Sequence, residues 1–356
     1  MKKFILFDHS IFLHQRNGGI SKYICELNKN LNKNKRQSLI FSPISINENL
    51  KNSNQNVINL VHLKKIPKFC TKIFYFINDI LTLFYILFKK PDIVHLTFYN
   101  NFLIKFIKLP VIISVYDLTH EKLKKKLYSF SKNSLIKKAK KIICISNETK
   151  KDLKKFYKIE NKKLSVVYLG VPQKKKTNKN KEKFIVYVGA RVGYKNFKHF
   201  ILAYSKSKYL IKNYKIKCFG YENFSNEENI LFNKLKINQN LEYIYGDDRK
   251  LEELYSKSKL LVYPSLHEGF GLPPLEAMRF GLPVAVSNIP TLKEILGNSV
   301  IYFNPRKIIN TKIQLEKVLK SNSLQKQLIQ RGYKKIQKYK WSKCAVETTK
   351  IYQSIN

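Results

Sequence analysis

Two carboxylates, Glu268 and Glu276, lie in Pro264-Ser-Leu-His-Glu-Gly-Phe-Gly-Leu-Pro-Pro-Leu-Glu276, separated by a glycine-aromatic-glycine turn and a proline pair. Ionised carboxylates accept hydrogen bonds from hydroxyl groups, and glycine backbones let a ligand approach closely. The segment therefore suits a polyhydroxylated ligand such as a sugar or a ribose. A second cluster, Tyr187-Val-Gly-Ala-Arg-Val-Gly-Tyr-Lys-Asn196, sets the cations Arg191 and Lys195 behind Gly189. An arginine fork beside a lysine point charge is a common pairing for phosphate oxygens.

Two further segments carry chemistry. Asn17-Gly18-Gly19 precedes a helical pattern with an apolar face of Ile20, Tyr23, Ile24, Leu27 and Leu31, and amides at a helix start cradle anions. It lacks the Gly-x-Gly-x-x-Gly spacing, which argues against a nicotinamide cofactor. Val115-Tyr-Asp-Leu-Thr-His-Glu121 offers Asp117, His120 and Glu121 to a crevice, with Asp117 the first choice for an acid-base role and His120 the second. The bland alternative for Asp117 is a helix cap.

The elements that must hold these residues follow from the flanks. Leu260–Tyr263 is an apolar run of strand length, and Pro273-Pro274 opens a helix running to about Phe280. Gly281 supplies a left-handed cap and Pro283–Ser287 a second buried strand, giving a strand-loop-helix-strand unit of a parallel sheet. Ligands bind such sheets at the carboxyl ends of the strands. Glu268 is expected in the loop there, with Glu276 in the first helical turn facing the same crevice. Other strands are expected at Phe4–Phe7, Ser38–Phe41, Ile93–Leu96, Val111–Val115, Ile142–Ile145, Phe184–Val188, Ile216–Phe219 and Leu241–Tyr243, interleaved with helices. This is an α/β pattern of two doubly wound domains.

The expected organisation is a domain over 1–172, a lysine- and asparagine-rich linker over 173–183, a second domain over 184–335, and a terminal helix over 336–356. The 356-residue length suits two domains.

Glu268 and Glu276 with Gly-Phe-Gly between them resemble the Glu-x7-Glu motif of retaining nucleotide-sugar glycosyltransferases of family four. The likeness continues through Glu276-Ala-Met-Arg-Phe-Gly-Leu-Pro-Val-Ala-Val-Ser-Asn288 to Gly297 and Tyr302-Phe-Asn-Pro305, and extends over nearly the full chain. It implies the GT-B fold, two facing Rossmann-like domains with an interdomain cleft, and a terminal helix crossing back onto the first domain. It further implies metal-independent transfer of a hexose, mannose first, from a nucleotide diphosphate sugar to a glycan or lipid-linked glycan of surface-polysaccharide synthesis.

In this resemblance Glu276 binds the ribose and Glu268 the transferred sugar. Arg191 and Lys195 hold the diphosphate, and the Gly18-Gly19 loop touches a donor phosphate. The full donor set is Gly18, Gly19, Gly189, Arg191, Lys195, Gly269, Phe270, Gly271, Leu272 and Glu276; the catalytic set is Asp117, His120 and Glu268. No metal or cofactor is expected beyond the co-substrate. Ser146 and Thr149 read as caps of their helix, and Gly246-Asp247-Asp248 as preceding a helix that borders the base. Uridine diphosphate sugars are the alternative donors. Paired carboxylates also occur in glycoside hydrolases, but phosphate-binding cations favour a nucleotide donor.

Sixty-eight Lys plus Arg against 24 Asp plus Glu give a net charge of +44. The lysines run from end to end, as in a chain encoded by an adenine- and thymine-rich genome. No nucleic-acid-binding motif accompanies them, so specific nucleic-acid binding is not expected. Peripheral contact with an anionic membrane is more in keeping, and a non-catalytic basic membrane scaffold is the alternative from another class. Five scattered cysteines and an N-terminus without an apolar leader are read as cytoplasmic. The apolar stretch Ile73–Phe88 falls short of the ~20 residues that span a bilayer. It is expected as a mostly buried helix, with a membrane-dipping surface as the sharper alternative.

Overall fold

The computed structural model describes residues 3–51, 53, 56–101, 107–124, 130–173, 180–191, 193–220 and 222–355. It divides into two compact units, Met1–Gly170 with Tyr339–Asn356, and Val171–Lys338. Residues 174–179 of the expected linker lie outside the described residues.

Among the described residues of the first unit nine strands form: β1 (Ile5–Phe7), β2 (Ser38–Phe41), β3 (Ile44–Ser45), β4 (Val57–Ile58), β5 (Val61–His62), β6 (Ile93–Leu96), β7 (Val111–Val115), β8 (Lys141–Cys144) and β9 (Leu164–Val166). Seven make a parallel sheet in the order β4-β2-β1-β6-β7-β8-β9, and β3 pairs with β5. Its middle strands are buried apolar runs, as expected where helices cover both faces. The helix Gly19–Lys33 buries Tyr23, Ile24, Leu27 and Leu31.

The terminal helix Trp341–Gln353 packs against Gly19–Lys33 and closes this unit's polar interior. Tyr352 Oη lies 2.6 Å from His95 Nδ1, His95 Nε2 2.9 Å from Ser114 Oγ, and Ser114 Oγ 3.2 Å from the Tyr23 hydroxyl. Trp341 stacks on Tyr23, and a Cβ on Gly170 would stand 2.3 Å from the Trp341 amide nitrogen. Burial drives the His95 imidazole down to about 3, so it is neutral and free to both donate and accept.

One element overturns its expectation. The helix Thr71–Lys89 forms, but it is not mostly buried: its buried residues are Asn78, Asp79, Thr82 and Ile86. Asn78 exchanges two hydrogen bonds with the backbone of Ile44, at 2.8 and 3.1 Å, completing the end of β3. Thr82 Oγ1 and Asp79 Oδ1 each lie 3.3 Å from a nitrogen of the buried His9. Polar groups with fixed partners decide which side of this helix faces inward, and its apolar side is left outside.

Among the described residues of the second unit six strands, β10 (Phe184–Val188), β11 (Lys215–Phe219), β12 (Leu241–Ile244), β13 (Leu260–Tyr263), β14 (Val284–Ser287) and β15 (Ile301–Phe303), make a parallel sheet in the order β12-β11-β10-β13-β14-β15. This is the 3-2-1-4-5-6 order of doubly wound sheets, whose direction of winding reverses between β10 and β13. Tyr187, Phe197, Phe200, Tyr204 and Phe232 fill the core beside β10. Burying side chains of this size contributes roughly 1.5–3 kcal/mol each.

Candidate active site

The reversal between β10 and β13 places the loops after these strands side by side at the carboxyl edge of the second unit's sheet. Gly189 follows β10 at φ +123 and Gly193 turns at φ +56; a Cβ on either would meet open space. Tyr187 donates to Ala190 O at 2.5 Å, fixing where the loop leaves the strand. Asn196, left-handed at φ 57, donates to Pro264 O at 3.1 Å and Pro305 O at 3.0 Å, tying the segments after β10, β13 and β15 together. Leu266 N donates to Tyr194 O at 2.7 Å, a second tie.

These ties bring two predicted residues into contact. Lys195 Nζ lies 2.8 Å from Glu268 Oε1. The ammonium also sits 5.0 Å from the Tyr194 ring centre and 5.7 Å from that of Tyr263. Burial, with the Glu268 carboxylate beside it, pushes the Tyr263 hydroxyl far above its ordinary range, so it stays a neutral donor. Beyond Glu268, Gly269, Phe270 and Gly271 are buried. Gly271 adopts φ +95, and a Cβ there would lie 2.8 Å from Leu292, so both backbone and packing require glycine.

Leu272 and the prolines begin the helix Leu272–Arg279, and Gly281 at φ +59 follows its end. Glu276 is therefore one turn into the helix, not in the first turn as expected, because the helix starts at Leu272, before the prolines. Its carboxylate lies near the buried Tyr255 hydroxyl, whose pKa burial and then Glu276 raise well above the usual value.

Arg191 is held differently from Lys195. Its Nε donates to Glu228 Oε1 at 2.9 Å, and Nη2 reaches the carbonyls of Glu222 and Asn223 at 2.8 and 2.7 Å. Its guanidinium is 5.0 Å from the Phe224 ring centre and only 5% of its side chain is exposed. The other Glu228 oxygen accepts from Ser225 N, completing a capping box of the helix Asn226–Lys234. Arg191 thus joins this helix to the β10 loop.

In the first unit the predicted residues stand mostly in structural bonds. Asp117 Oδ1 accepts from Thr119 N at 2.9 Å, closing a turn one residue before the helix Thr119–Lys124, and Ser146 caps Asn147–Tyr157. His120, in the helix Thr119–Lys124, is half-buried. Glu121 is not offered to a crevice: it is fully buried, paired with Lys132 at 2.7 Å and accepting from the Tyr157 hydroxyl at 2.6 Å. A carboxylate out of water needs such partners. Gly18 and Gly19 begin their helix, where Gln15 Oε1 accepts from Ser21 N at 3.4 Å.

Sequence reasoning missed Asn196, Tyr263 and Glu228. The first had a signal, since asparagine is among the residues that tolerate the left-handed conformation, and Ser225-Asn-Glu-Glu228 is a legible capping pattern.

Two doubly wound parallel sheets, one with a charged site at its topological switch point, define an α/β protein of the GT-B class. A family model described as Glycosyl transferases group 1 matches residues 172–335, and one described as Glycosyltransferase Family 4 matches residues 17–175. Together the two matches run from residue 17 to residue 335, so each half of the chain matches a glycosyltransferase family model. Among curated proteins it is 33% identical over 188 residues to the O-antigen chain mannosyltransferase RfbU of Salmonella typhimurium, covering 51% of this chain and 52% of the relative. It is 41% identical over 98 residues to the serotype-specific mannosyltransferase WbdA of Escherichia coli, covering 28% of this chain and 12% of WbdA. The alignment thus spans about half of the first relative and a small part of the second.

Among solved structures, a glycosyltransferase from Rickettsia africae has a TM-score of 0.73 at 19% identity, covering 99% of this chain and 98% of its own. Anabaena Alr3699/HepE in complex with UDP-glucose has 0.77 at 13%, covering 100% of each. At these identities the structures speak for the fold.

Proposed function

We propose that the protein is a retaining, metal-independent hexosyltransferase of surface-polysaccharide synthesis. It moves a sugar, mannose first, from a nucleotide diphosphate donor to a glycan or lipid-linked glycan in the cytoplasm. The observation that carries this reading is the Lys195–Glu268 pair at the carboxyl ends of β10 and β13, beside glycines with open space over them. The mannosyltransferase relatives support the choice of sugar, and the UDP-glucose complex of a fold neighbour keeps uridine diphosphate sugars as the second donor class.

In this reading donor binding separates the pair: Glu268 turns to hydroxyls of the transferred sugar and Lys195 to the diphosphate. The bond between the sugar's anomeric carbon and the diphosphate oxygen breaks as one to the acceptor oxygen forms. The acceptor's proton passes to the leaving phosphate, and the Lys195 ammonium stabilises the charge that develops there. Glu276 takes the ribose hydroxyls. Arg191 assists through its hold on the β10 loop as well as through its charge. Asp117 and His120 keep the acceptor-side assignment, with one Asp117 oxygen bonded to Thr119 N.

Calorimetry with guanosine, uridine and adenosine diphosphates tests the reading. Binding of one of them is expected, weakened in Glu276→Ala on the order of tenfold to a hundredfold, the worth of hydrogen bonds to a charged group. No heat with any nucleotide would sink the transferase reading.

A further inference from the structure

The helix Thr71–Lys89 carries its polar residues inside and its apolar ones outside. Ile73, Phe76, Phe84, Leu87 and Phe88 are each more than half exposed, and Ile77 is partly so. Their spacings of three, four and seven residues put them on one side of the helix, with the half-buried Ile80 between Ile77 and Phe84. A stripe this rich in large apolar side chains marks a surface that something covers. Lys72 at one end and Lys89 and Lys90 at the other are exposed.

The chain leaves this helix at Lys89–Lys90 and enters β6 at the amino edge of the first unit's sheet. Because all strands of that sheet are parallel, β7, β8 and β9 start along the same edge. A hollow there is lined by Lys108, Lys138, Lys140, Lys141, Lys162 and Lys163. Apolar side chains flanked by lysines, on a unit with a lysine-lined edge, fit a surface that is greasy within and anionic at its rim.

We propose that the outer face of the helix Thr71–Lys89 docks in the plane of an anionic lipid bilayer. The apolar stripe enters the acyl boundary while the flanking lysines and the lysine-lined edge meet headgroup phosphates. By length and composition alone the helix is apolar enough to cross a membrane. It is held in plane because Asn78 is bonded to Ile44, and Asp79 and Thr82 face His9 in the unit's interior. Crossing the bilayer would strand these groups in hydrocarbon without partners. A second copy of the chain is a poorer occupant, since pairing two such stripes sets Lys72, Lys89 and Lys90 of one copy near those of the other. Docking needs neither donor nor acceptor, so it can fail while glycosyl transfer stands, and the reverse.

Sedimentation of the full chain with lipid vesicles tests it. Binding is expected to vesicles rich in phosphatidylglycerol, weaker binding to pure phosphatidylcholine, and release by high salt. Phe84→Ser with Leu87→Ser, both exposed, should lower partitioning by roughly tenfold or more without altering the circular dichroism spectrum. Lys72→Glu and Lys89→Glu, which keep the stripe intact, should each lower binding to anionic vesicles by roughly fivefold. The proposal is overturned by absence of binding to anionic vesicles, by unchanged binding of the serine variant, or by a wild-type dimer that this variant converts to monomer.

Discussion

The two units share a strand order around their central strands, yet the carboxyl edge at the reversal is built in opposite ways. In the first unit Asp8, just after β1, is fully buried and saturated. Its carboxylate accepts from Thr97 N at 2.6 Å, Thr97 Oγ1 at 2.7 Å, Asn101 Nδ2 at 3.1 Å and the Ser10 hydroxyl. In the second unit the same place holds Lys195 and Glu268, bonded to each other beside glycines that leave room. A charge whose partners all belong to the chain is spent on architecture. A charge pair next to open backbone can exchange its partner for a ligand's hydroxyls and phosphates. The difference supports the proposal that the second unit's edge is the donor site, without appeal to any motif.

Lys195→Ala should separate the two edges most sharply. Glycosyl transfer is expected to fall by about 10²- to 10³-fold, as when one preorganised charge-stabilising group is lost, with little change in thermal midpoint. A variant that keeps full turnover would break the contrast. Asp8→Ala should do the reverse, leaving the Thr97 and Asn101 donors without their buried acceptor. The expected cost is about 3 to 5 kcal/mol in the first unit. Trp341 is the chain's one tryptophan and packs in that unit, so its emission during urea unfolding reports the loss.

A smaller effect should appear on acidification. Burial, opposed by Asp8, lowers His9 to about 4, and burial lowers His95 to about 3. Unfolding frees both to take up protons near their ordinary 6.5, so the unfolded chain binds more protons below that pH. Stability of the first unit is therefore complete above about 6.5 and falls as pH drops toward 4, by about 2 kcal/mol for each histidine at pH 5. The urea midpoint followed by Trp341 emission should shift accordingly. In the second unit His199 is lowered while only half-buried, which predicts a shallower decline. Equal acid sensitivity of both units would remove the contrast.

Much of this was legible in the chain. Long apolar runs gave β2, β6, β7, β10 and β13 with the bounds the sequence implied, because a buried parallel strand writes its burial on every residue. The strands β3, β4, β5, β9 and β15 have two or three residues each, too few for a pattern to show. The site was legible as charges and glycines, but not the ties that assemble it. Nothing local in Arg191 reveals that Glu228, distant in sequence, is its partner. The helix Thr71–Lys89 shows the limit of periodicity: an apolar stripe says that one side differs from the other, not which side the protein keeps.

The terminal helix has a consequence in time. Tyr352 supplies the hydroxyl that completes the His95–Ser114–Tyr23 chain, and Trp341 covers Tyr23. Synthesis must run through the whole second unit, Val171–Lys338, before residues 341–353 exist. At ~5 to 20 residues per second, the first unit waits on the order of ten seconds with its core unfinished. The half of the molecule that is translated first thus waits for the residues translated last, and a released chain truncated before Trp341 should display an open first unit with a folded second.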